Sequence, residues 1–187
     1  SNKAKPVALS QLRVIGGQWR SRKLSFPTIE GLRPTPDRVR ETLFNWLTPN
    51  ISESRCLDVF AGSGTLGLEA LSRGAAQVDF IDSNRAAVQS IQAHLQRFDC
   101  DNGQCHHFRV PTPEFAEPPY DIIFLDPPFA ADLVAATGEW LQSFCHEKTL
   151  IFLEVPKKTC PPPVPESWQL LKEKRNRAVC YFLFSAG

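Results

Sequence analysis

A short apolar segment that ends in a glycine-rich loop constrains the fold more than any other part of this sequence. The segment runs from Cys56 to Phe60 and is followed by Ala61-Gly62-Ser63-Gly64, after which residues 65–73 have the pattern of a helix that Gly74 ends. Glycines at these positions let a strand turn sharply into a helix while a ligand lies close to the backbone. The segment therefore predicts a strand, a ligand-binding loop and a helix, in that order.

Apolar strands and amphipathic helices alternate through the rest of the chain. Helical periodicity is found at residues 84–98 and 133–144, and strand patterns occur at 78–81, 120–125 and 149–155, more weakly at 108–110, and in a terminal pair at 168–171 and 179–184. This alternation predicts a doubly wound, Rossmann-like α/β sheet. Ligands of such sheets lie at the carboxyl ends of the strands.

The N-terminal segment is basic, although the whole chain has a net charge of only +1. Residues 1–40 contain nine Lys and Arg against two acidic residues. Within this segment, alternating residues at 12–15 and 23–26 around Gly16-Gly17 predict a β-hairpin. Thr35 and Pro36 then have the residue types of a helix N-cap and first helical position. Such a charge suits phosphate backbones, and the alternative is a solvated charged surface.

The glycine loop alone does not identify its ligand. Residues 62–67 also satisfy the dinucleotide pattern G-x-G-x-x-G, and Asp82 at the end of the next strand suits ribose hydroxyls in either case. Asp58 favours one ligand over the other, because a carboxylate there would repel a pyrophosphate but attract a positively charged amine. S-adenosylmethionine has such an amine and no phosphate, so we predict it as the cofactor.

The tetrapeptide Asp126-Pro127-Pro128-Phe129 follows the most apolar of the predicted strands. It therefore lies at the carboxyl edge of the sheet, beside the glycine loop. The Asp126 carboxylate and the Pro127 carbonyl can each accept one N–H of a planar amine, which directs the nitrogen lone pair toward a methyl donor. Phe129 can stack on a base swung out of its helix or loop. We predict methyl transfer to an exocyclic base amine.

Several blocks of the sequence, in matching order, carry a resemblance to a known family. They are 13–17 with 19–24, the run from Leu32-Arg33-Pro34-Thr35 to Asn45, the loop from Asp58 to Ala70, and Asp126 to Phe129. These blocks resemble the bacterial 16S ribosomal RNA guanine-N2-methyltransferase family. The resemblance implies a Rossmann-like methyltransferase sheet with a small N-terminal β-hairpin extension and an antiparallel C-terminal strand. It implies methylation of one guanine of small-subunit ribosomal RNA with S-adenosylmethionine.

The resemblance also implies roles for individual residues. The cofactor site would be lined by Asp58, Phe60, Gly62, Gly64 and Asp82, and the target amine would be held by Asp126, Pro127, Pro128 and Phe129. Basic and aromatic residues of the N-terminal part are the candidates for RNA contact, namely Arg13, Trp19, Arg20, Arg22, Lys23, Arg38 and Arg40. For Arg38 and Arg40, contact with the cofactor carboxylate and a plain surface position are alternatives.

Composition excludes several other classes of protein. No run of about 18 uncharged apolar residues occurs and no signal-peptide pattern is found, so we expect a cytoplasmic protein with no membrane partner. The six cysteines form no C-x-x-C pair and no His spacing matches a ligand set, so we expect free thiols and no metal. We expect a monomer with a basic arm at residues 1–34 and a methyltransferase domain at 35–187.

Three alternative functions stay open at this point. A DNA adenine or protein-amide N-methyltransferase would use the same tetrapeptide, but a DNA enzyme usually has a sizeable recognition domain. An NAD-dependent oxidoreductase would use the glycine loop and would leave the tetrapeptide without a role. A non-catalytic RNA-binding module would keep every activity after Asp126→Ala.

Overall fold

The computed structural model describes residues 9–28, 34–128 and 131–187. Within these ranges the strands are β1 (Leu9–Arg13), β2 (Lys23–Pro27), β3 (Arg55–Val59), β4 (Gln77–Asp82), β5 (Gly103–His107), β6 (Tyr120–Leu125), β7 (Cys145–Pro156), β8 (Gln169–Arg175) and β9 (Val179–Ser185). The α-helices are α1 (Asp37–Ile51), α2 (Thr65–Ser72), α3 (Arg85–Arg97) and α4 (Ala131–Leu141).

One mixed sheet organises the described residues, with the strand order β5-β4-β3-β6-β7-β9-β8. The strands from β5 to β7 are parallel, and β9 runs antiparallel between β7 and β8. The strand order reverses between β3 and β6, which is the switch point at which doubly wound sheets bind ligands. The predicted α/β fold, including its antiparallel C-terminal strand, is confirmed.

Side chains of neighbouring strands are aligned on one face of this sheet. Asp58 of β3 is paired with Phe124 of β6, and Phe124 is paired with Phe152 of β7. Phe124 and Phe152 both belong to the core that packs under α1 and α2. Because successive side chains alternate between faces, residues two positions further along each strand lie on the same face. Asp126 and Glu154 therefore follow Phe124 and Phe152 toward the carboxyl edge.

The N-terminal hairpin formed by β1 and β2 is a separate two-stranded sheet, as the sequence predicts. Its connecting turn packs directly on α2, where the backbone N–H of Trp19 donates to Ser72 Oγ at 2.9 Å. A Cβ added at Gly17 would lie 1.9 Å from the backbone oxygen of Ser72, so only glycine permits this close approach. Val14, Trp19 and Leu24 bury their side chains in the same core as the central strands.

Two local predictions from the sequence are wrong. The third parallel strand is β5 and not 108–110, because an edge strand with half-exposed polar residues gives no apolar run to detect. The N-cap of α1 is Pro36 and not Thr35, and among the described residues no side chain caps this helix. Thr35 is buried, and as a hydrogen-bond donor it lowers the pKa of the Glu154 carboxyl group.

Candidate active site

The glycine loop after β3 is held in a conformation that few residue types adopt. Phe60, Gly62 and Gly64 have φ values of 59°, 57° and 76°. A Cβ at Gly64 would lie 2.7 Å from Ile91 Cγ1, so both the backbone and the packing require glycine there. Phe60 carries a Cβ, so its positive φ strains the backbone. Backbone strain of this kind is typical of ligand-binding turns.

Asp58 lies beneath this loop with only 3% of its surface exposed. The backbone N–H of Gly67, in the first turn of α2, donates to its Oδ2 atom at 3.0 Å. Burial raises the pKa of Asp58 to about 8, the Gly67 hydrogen bond opposes the rise, and the charge of Asp82 adds to it. A positively charged ligand group would lower this pKa and stabilise the carboxylate.

Asp82, at the end of β4, holds the loop from the other side. Its Oδ2 atom accepts a hydrogen bond from Gly62 N at 2.9 Å, and its Oδ1 atom accepts one from Asn84 N at 2.8 Å. Asn84 caps α3 by accepting from Ala87 N at 3.0 Å. Each carboxylate oxygen can accept a second hydrogen bond, so Asp82 can hold the loop and still bind hydroxyl donors.

Asp126 leaves the sheet at the end of β6, on the face that carries Asp58. Burial, together with the charges of Glu154 and Asp58, raises its pKa well above the ordinary value for Asp. The ring of Pro127 is buried, and Pro128 is exposed. Phe129, the fourth residue of the predicted tetrapeptide, lies outside the described residues. Because its pKa is raised, the Asp126 carboxyl group is suited to bind a proton.

Glu154 belongs to this cluster, although sequence analysis did not single it out. It is on β7, next to β6, and burial raises its pKa while the hydrogen bond from Thr35 lowers it. Its Oε2 atom is buried and has no hydrogen-bond partner among the described residues. The available signal was a single acid in an otherwise apolar strand, Phe152-Leu153-Glu154-Val155, because a buried charge there needs a reason.

Five of the predicted RNA-contacting residues are exposed. Four of them lie on the hairpin or its turn and one lies in the first turn of α1, namely Arg13, Arg20, Arg22, Lys23 and Arg38. The Arg22 guanidinium lies 4.5 Å from the centre of the Phe98 ring, which holds the hairpin against α3. The exposed hairpin cations thus lie on a surface that is fixed to the sheet.

Trp19 and Arg40 do not fit the predicted role of RNA contact. Trp19 is 6% exposed and stacks on Phe98 with 4.6 Å between ring centres. Arg40 is fully buried, and its guanidinium donates to Asp37, to Glu69 and to the backbone oxygen of Arg13. The prediction for these two residues is wrong, because both side chains are used to pack the N-terminal segment onto the sheet.

A family model described as "Conserved hypothetical protein 95" matches residues 12–185 of the chain. The chain belongs to this family. One curated relative of this family member is the Haemophilus influenzae protein named Ribosomal RNA small subunit methyltransferase D. The two sequences are 42% identical, and the match covers 96% of each chain. The Escherichia coli protein of the same name is 44% identical over 93% of this chain and 89% of its own.

Solved structures give the same family relationship. The Escherichia coli protein yhhF superposes with a TM-score of 0.86 at 42% identity and covers 94% of this chain and 98% of its own. The Haemophilus influenzae protein HI0767 superposes with a TM-score of 0.78 at 38% identity and covers 95% and 99%. These neighbours agree with the Rossmann-like methyltransferase fold of the conserved hypothetical protein 95 member.

The described part of this family member contains neither a metal-binding cluster nor a membrane-spanning helix. Within 9–28, 34–128 and 131–187, no group of three or more His, Cys, Asp or Glu side chains is arranged to hold a metal ion. Over the same ranges, the helices are too short or too polar to cross a membrane. The cysteines are all free thiols.

Proposed function

We propose that this protein transfers a methyl group from S-adenosylmethionine to the exocyclic N2 amine of a guanine in small-subunit, 16S ribosomal RNA. One observation carries the proposal: the Asp126 carboxyl group and the buried Asp58 carboxyl group lie on the same sheet face, at the switch point between β3 and β6. Relatives at 42% and 44% identity named Ribosomal RNA small subunit methyltransferase D support ribosomal RNA as the substrate.

The cofactor side of the site fits a cationic ligand. Asp58 is a buried acid whose pKa is raised to about 8, so an ammonium group nearby would stabilise its charged form. Asp82 has lone pairs left for the hydroxyls of a ribose after it has bound the loop. When bound, S-adenosylmethionine supplies a methyl group on a sulfonium, which leaves as a neutral thioether. S-adenosylmethionine has no phosphate, so the glycine loop does not have to bind one.

The amine side of the site supplies acceptors and a place for a proton. Asp126 and the Pro127 carbonyl each accept one N–H of the guanine amine, so that the nitrogen lone pair faces the methyl group. Forming the new N–C bond leaves the nitrogen with one proton too many. The carboxyl group of Asp126 has a raised pKa and is therefore suited to accept this proton. Phe129 is proposed to stack on the guanine.

The remaining proposals concern the binding surface and the state of the protein. RNA phosphates would be bound by the exposed cations of the hairpin, namely Arg13, Arg20, Arg22 and Lys23. The basic arm would span residues 1–34, and the methyltransferase domain would span residues 35–187. Two described contacts limit that division, because Ile15 N and Gly16 N both donate to Glu69 of α2. We further propose that the protein is a cytoplasmic monomer and that it acts on free ribosomal RNA or on an assembling subunit.

The test is to incubate the protein with methyl-labelled S-adenosylmethionine and unmodified ribosomal RNA, free or in subunits. The label is located by nuclease digestion and mass spectrometry. We expect it on guanine N2 of the small-subunit RNA. Label in adenine, in ribosomal protein or in no acceptor would overturn the proposal.

A pair of variants assigns the reaction to the tetrapeptide. Asp126→Ala should abolish methyl transfer, while the affinity for S-adenosylmethionine should stay within about threefold of that of the natural chain. A residue that acts on the target amine can be lost without weakening cofactor binding. Asp101→Asn is the matched control, because Asp101 is an exposed acid in the turn before β5. Normal turnover by Asp126→Ala would refute the role of this residue.

A further inference from the structure

A groove of about 220 Å³ opens between α1 and the hairpin formed by β8 and β9. Its lining includes Phe152 and Tyr181 from the sheet and Trp46 from α1. Pockets that bury drug-sized ligands have volumes of roughly 300–1,000 Å³. This groove is smaller, so it has room for one flat ring system.

The groove lies beside the proposed amine site and is separate from it. Tyr181 is paired with Glu154 across the ladder of β7 and β9. Phe152 precedes Glu154 by two residues and is on the same face. Since Asp126 lies at the end of the adjacent strand β6, the groove begins one strand away from the carboxyl group that would hold the target.

The floor of the groove is aromatic and rigid, but Phe152 is fully buried and Tyr181 is only 4% exposed, so these two rings support the groove and Trp46 is the ring that a base can reach. The rings of Phe152 and Tyr181 are stacked, with 6.3 Å between centres and an angle of 11°. Asn176 fixes the Tyr181 hydroxyl by donating to it at 2.9 Å. Trp46 is only partly buried, so its ring is open to a ligand. Aromatic side chains bind nucleic-acid bases by stacking, with little regard to which base it is.

The rim of the groove is positively charged. Arg38 and Lys174 are exposed there, and Arg175 is engaged by Glu173 at 2.5 Å. Within the described residues, none of the side chains that line the groove is acidic. Cations around an aromatic floor match a nucleotide, whose phosphates flank a flat base. An acidic peptide would match the cations but would leave the partly exposed Trp46 ring without a stacking partner.

We propose that this groove binds the base of a nucleotide next to the methylated guanine, with Arg38 and Lys174 contacting the adjoining phosphates. The inference rests on the proposed RNA substrate. Swinging the target base out of its stack leaves its neighbours without a stacking partner. A second aromatic site one strand away would replace that lost stacking and hold the RNA in register.

The test uses RNA oligonucleotides that contain the methylated guanine and an abasic site at one neighbouring position at a time. We expect one abasic position to reduce kcat/KM of the natural chain by roughly fivefold to a hundredfold, the range expected for loss of one base stack. Trp46→Ala should lose a similar factor on intact RNA and become insensitive to that abasic position. Trp46→Phe should restore part of the activity, and S-adenosylmethionine affinity and the melting temperature monitor the fold.

Lys174→Ala tests the rim without disturbing the core. It should weaken RNA binding and reduce the dependence of affinity on salt, whereas Lys172→Ala on the same exposed strand should do neither. If the natural chain methylates RNA but is unaffected by every abasic neighbour, the base site is refuted. Impairment of Lys174→Ala on intact subunits but not on free RNA would indicate a protein ligand and would also refute it. A chain that methylates no RNA overturns both this inference and the proposed function.

Discussion

Arg40 and Glu69 form an ion pair in which neither side chain is exposed to solvent, with 3.4 Å between Nη1 and Oε1. Glu69 also accepts hydrogen bonds from the backbone N–H groups of Ile15 and Gly16, at 2.8 and 3.0 Å. Arg73 Nε adds a fourth donor at 3.0 Å. One carboxylate on α2 therefore binds the hairpin, α1 and α2 to each other.

Loss of this carboxylate should destabilise the protein strongly. We expect Glu69→Ala to lower the free energy of unfolding by about 3–5 kcal/mol, because it removes one of the two carboxylates that pair with the buried Arg40 charge and leaves the N–H groups of Ile15 and Gly16 without their acceptor. Urea denaturation measures the change, and Glu41→Ala at an exposed position of α1 is the control. A loss below about 1 kcal/mol, the range of surface ion pairs, would contradict the argument.

The raised pKa of Asp58 should make stability fall as pH rises. The unfolded chain releases this proton near pH 4 and the folded chain near pH 8, so between these values the unfolded state binds fewer protons. The free energy of unfolding should therefore decrease by up to about 1.4 kcal/mol per pH unit for this group. Asp58→Asn should flatten the slope between pH 5 and 8, and an unchanged slope would contradict the raised pKa.

Binding of S-adenosylmethionine should release a proton at neutral pH. Its ammonium group would lower the pKa of Asp58, which holds a proton in the free protein below pH 8. Calorimetric titration in two buffers of different ionisation enthalpy measures the number of protons released. We expect close to one at pH 7 for the natural chain and none for Asp58→Asn. Equal values for both proteins would assign the proton to another group.

Glu154 should control the pH at which transfer becomes fast. Asp126 must be ionised to accept a proton, and the charge of Glu154 raises its pKa, so kcat should rise with pH. Glu154→Gln removes this charge and should move the rise to lower pH. Single-turnover rates across a pH series measure the shift, with Glu147→Gln as an exposed control. A profile identical to that of the natural chain would leave Glu154 with a purely structural role.

Removing hairpin cations should weaken RNA binding in a salt-dependent way. Each phosphate contact contributes a slope of roughly 0.7–0.9 to the logarithmic dependence of affinity on salt. We expect Arg20→Ala and Arg22→Ala each to reduce that slope by about this amount. Lys148→Ala, an exposed cation before Thr149 of β7, should leave it unchanged. Equal slopes for all three variants would place the RNA elsewhere.

Elements with strong local signals could be predicted from the sequence. The apolar run before Asp126 and the glycines after Phe60 gave β6 and the loop with nearly correct bounds. Strand β5 was misplaced because its partly exposed polar residues give no periodic signal. Burial of individual charges was also hidden, since Arg40 looks like a surface residue until its tertiary partner Glu69 is known.

The hairpin is attached to the same short helix that closes the glycine loop. Gly67 near the start of α2 binds Asp58, and Glu69 and Ser72 further along it bind the hairpin. The exposed cations of the hairpin and the glycine loop are thus held at a fixed distance from each other by one helix. If the protein methylates a guanine as proposed, this fixed distance would select the target by its separation from the RNA phosphates that the hairpin binds. We expect changes in the spacing between these phosphates and the target to matter more than changes in the bases between them.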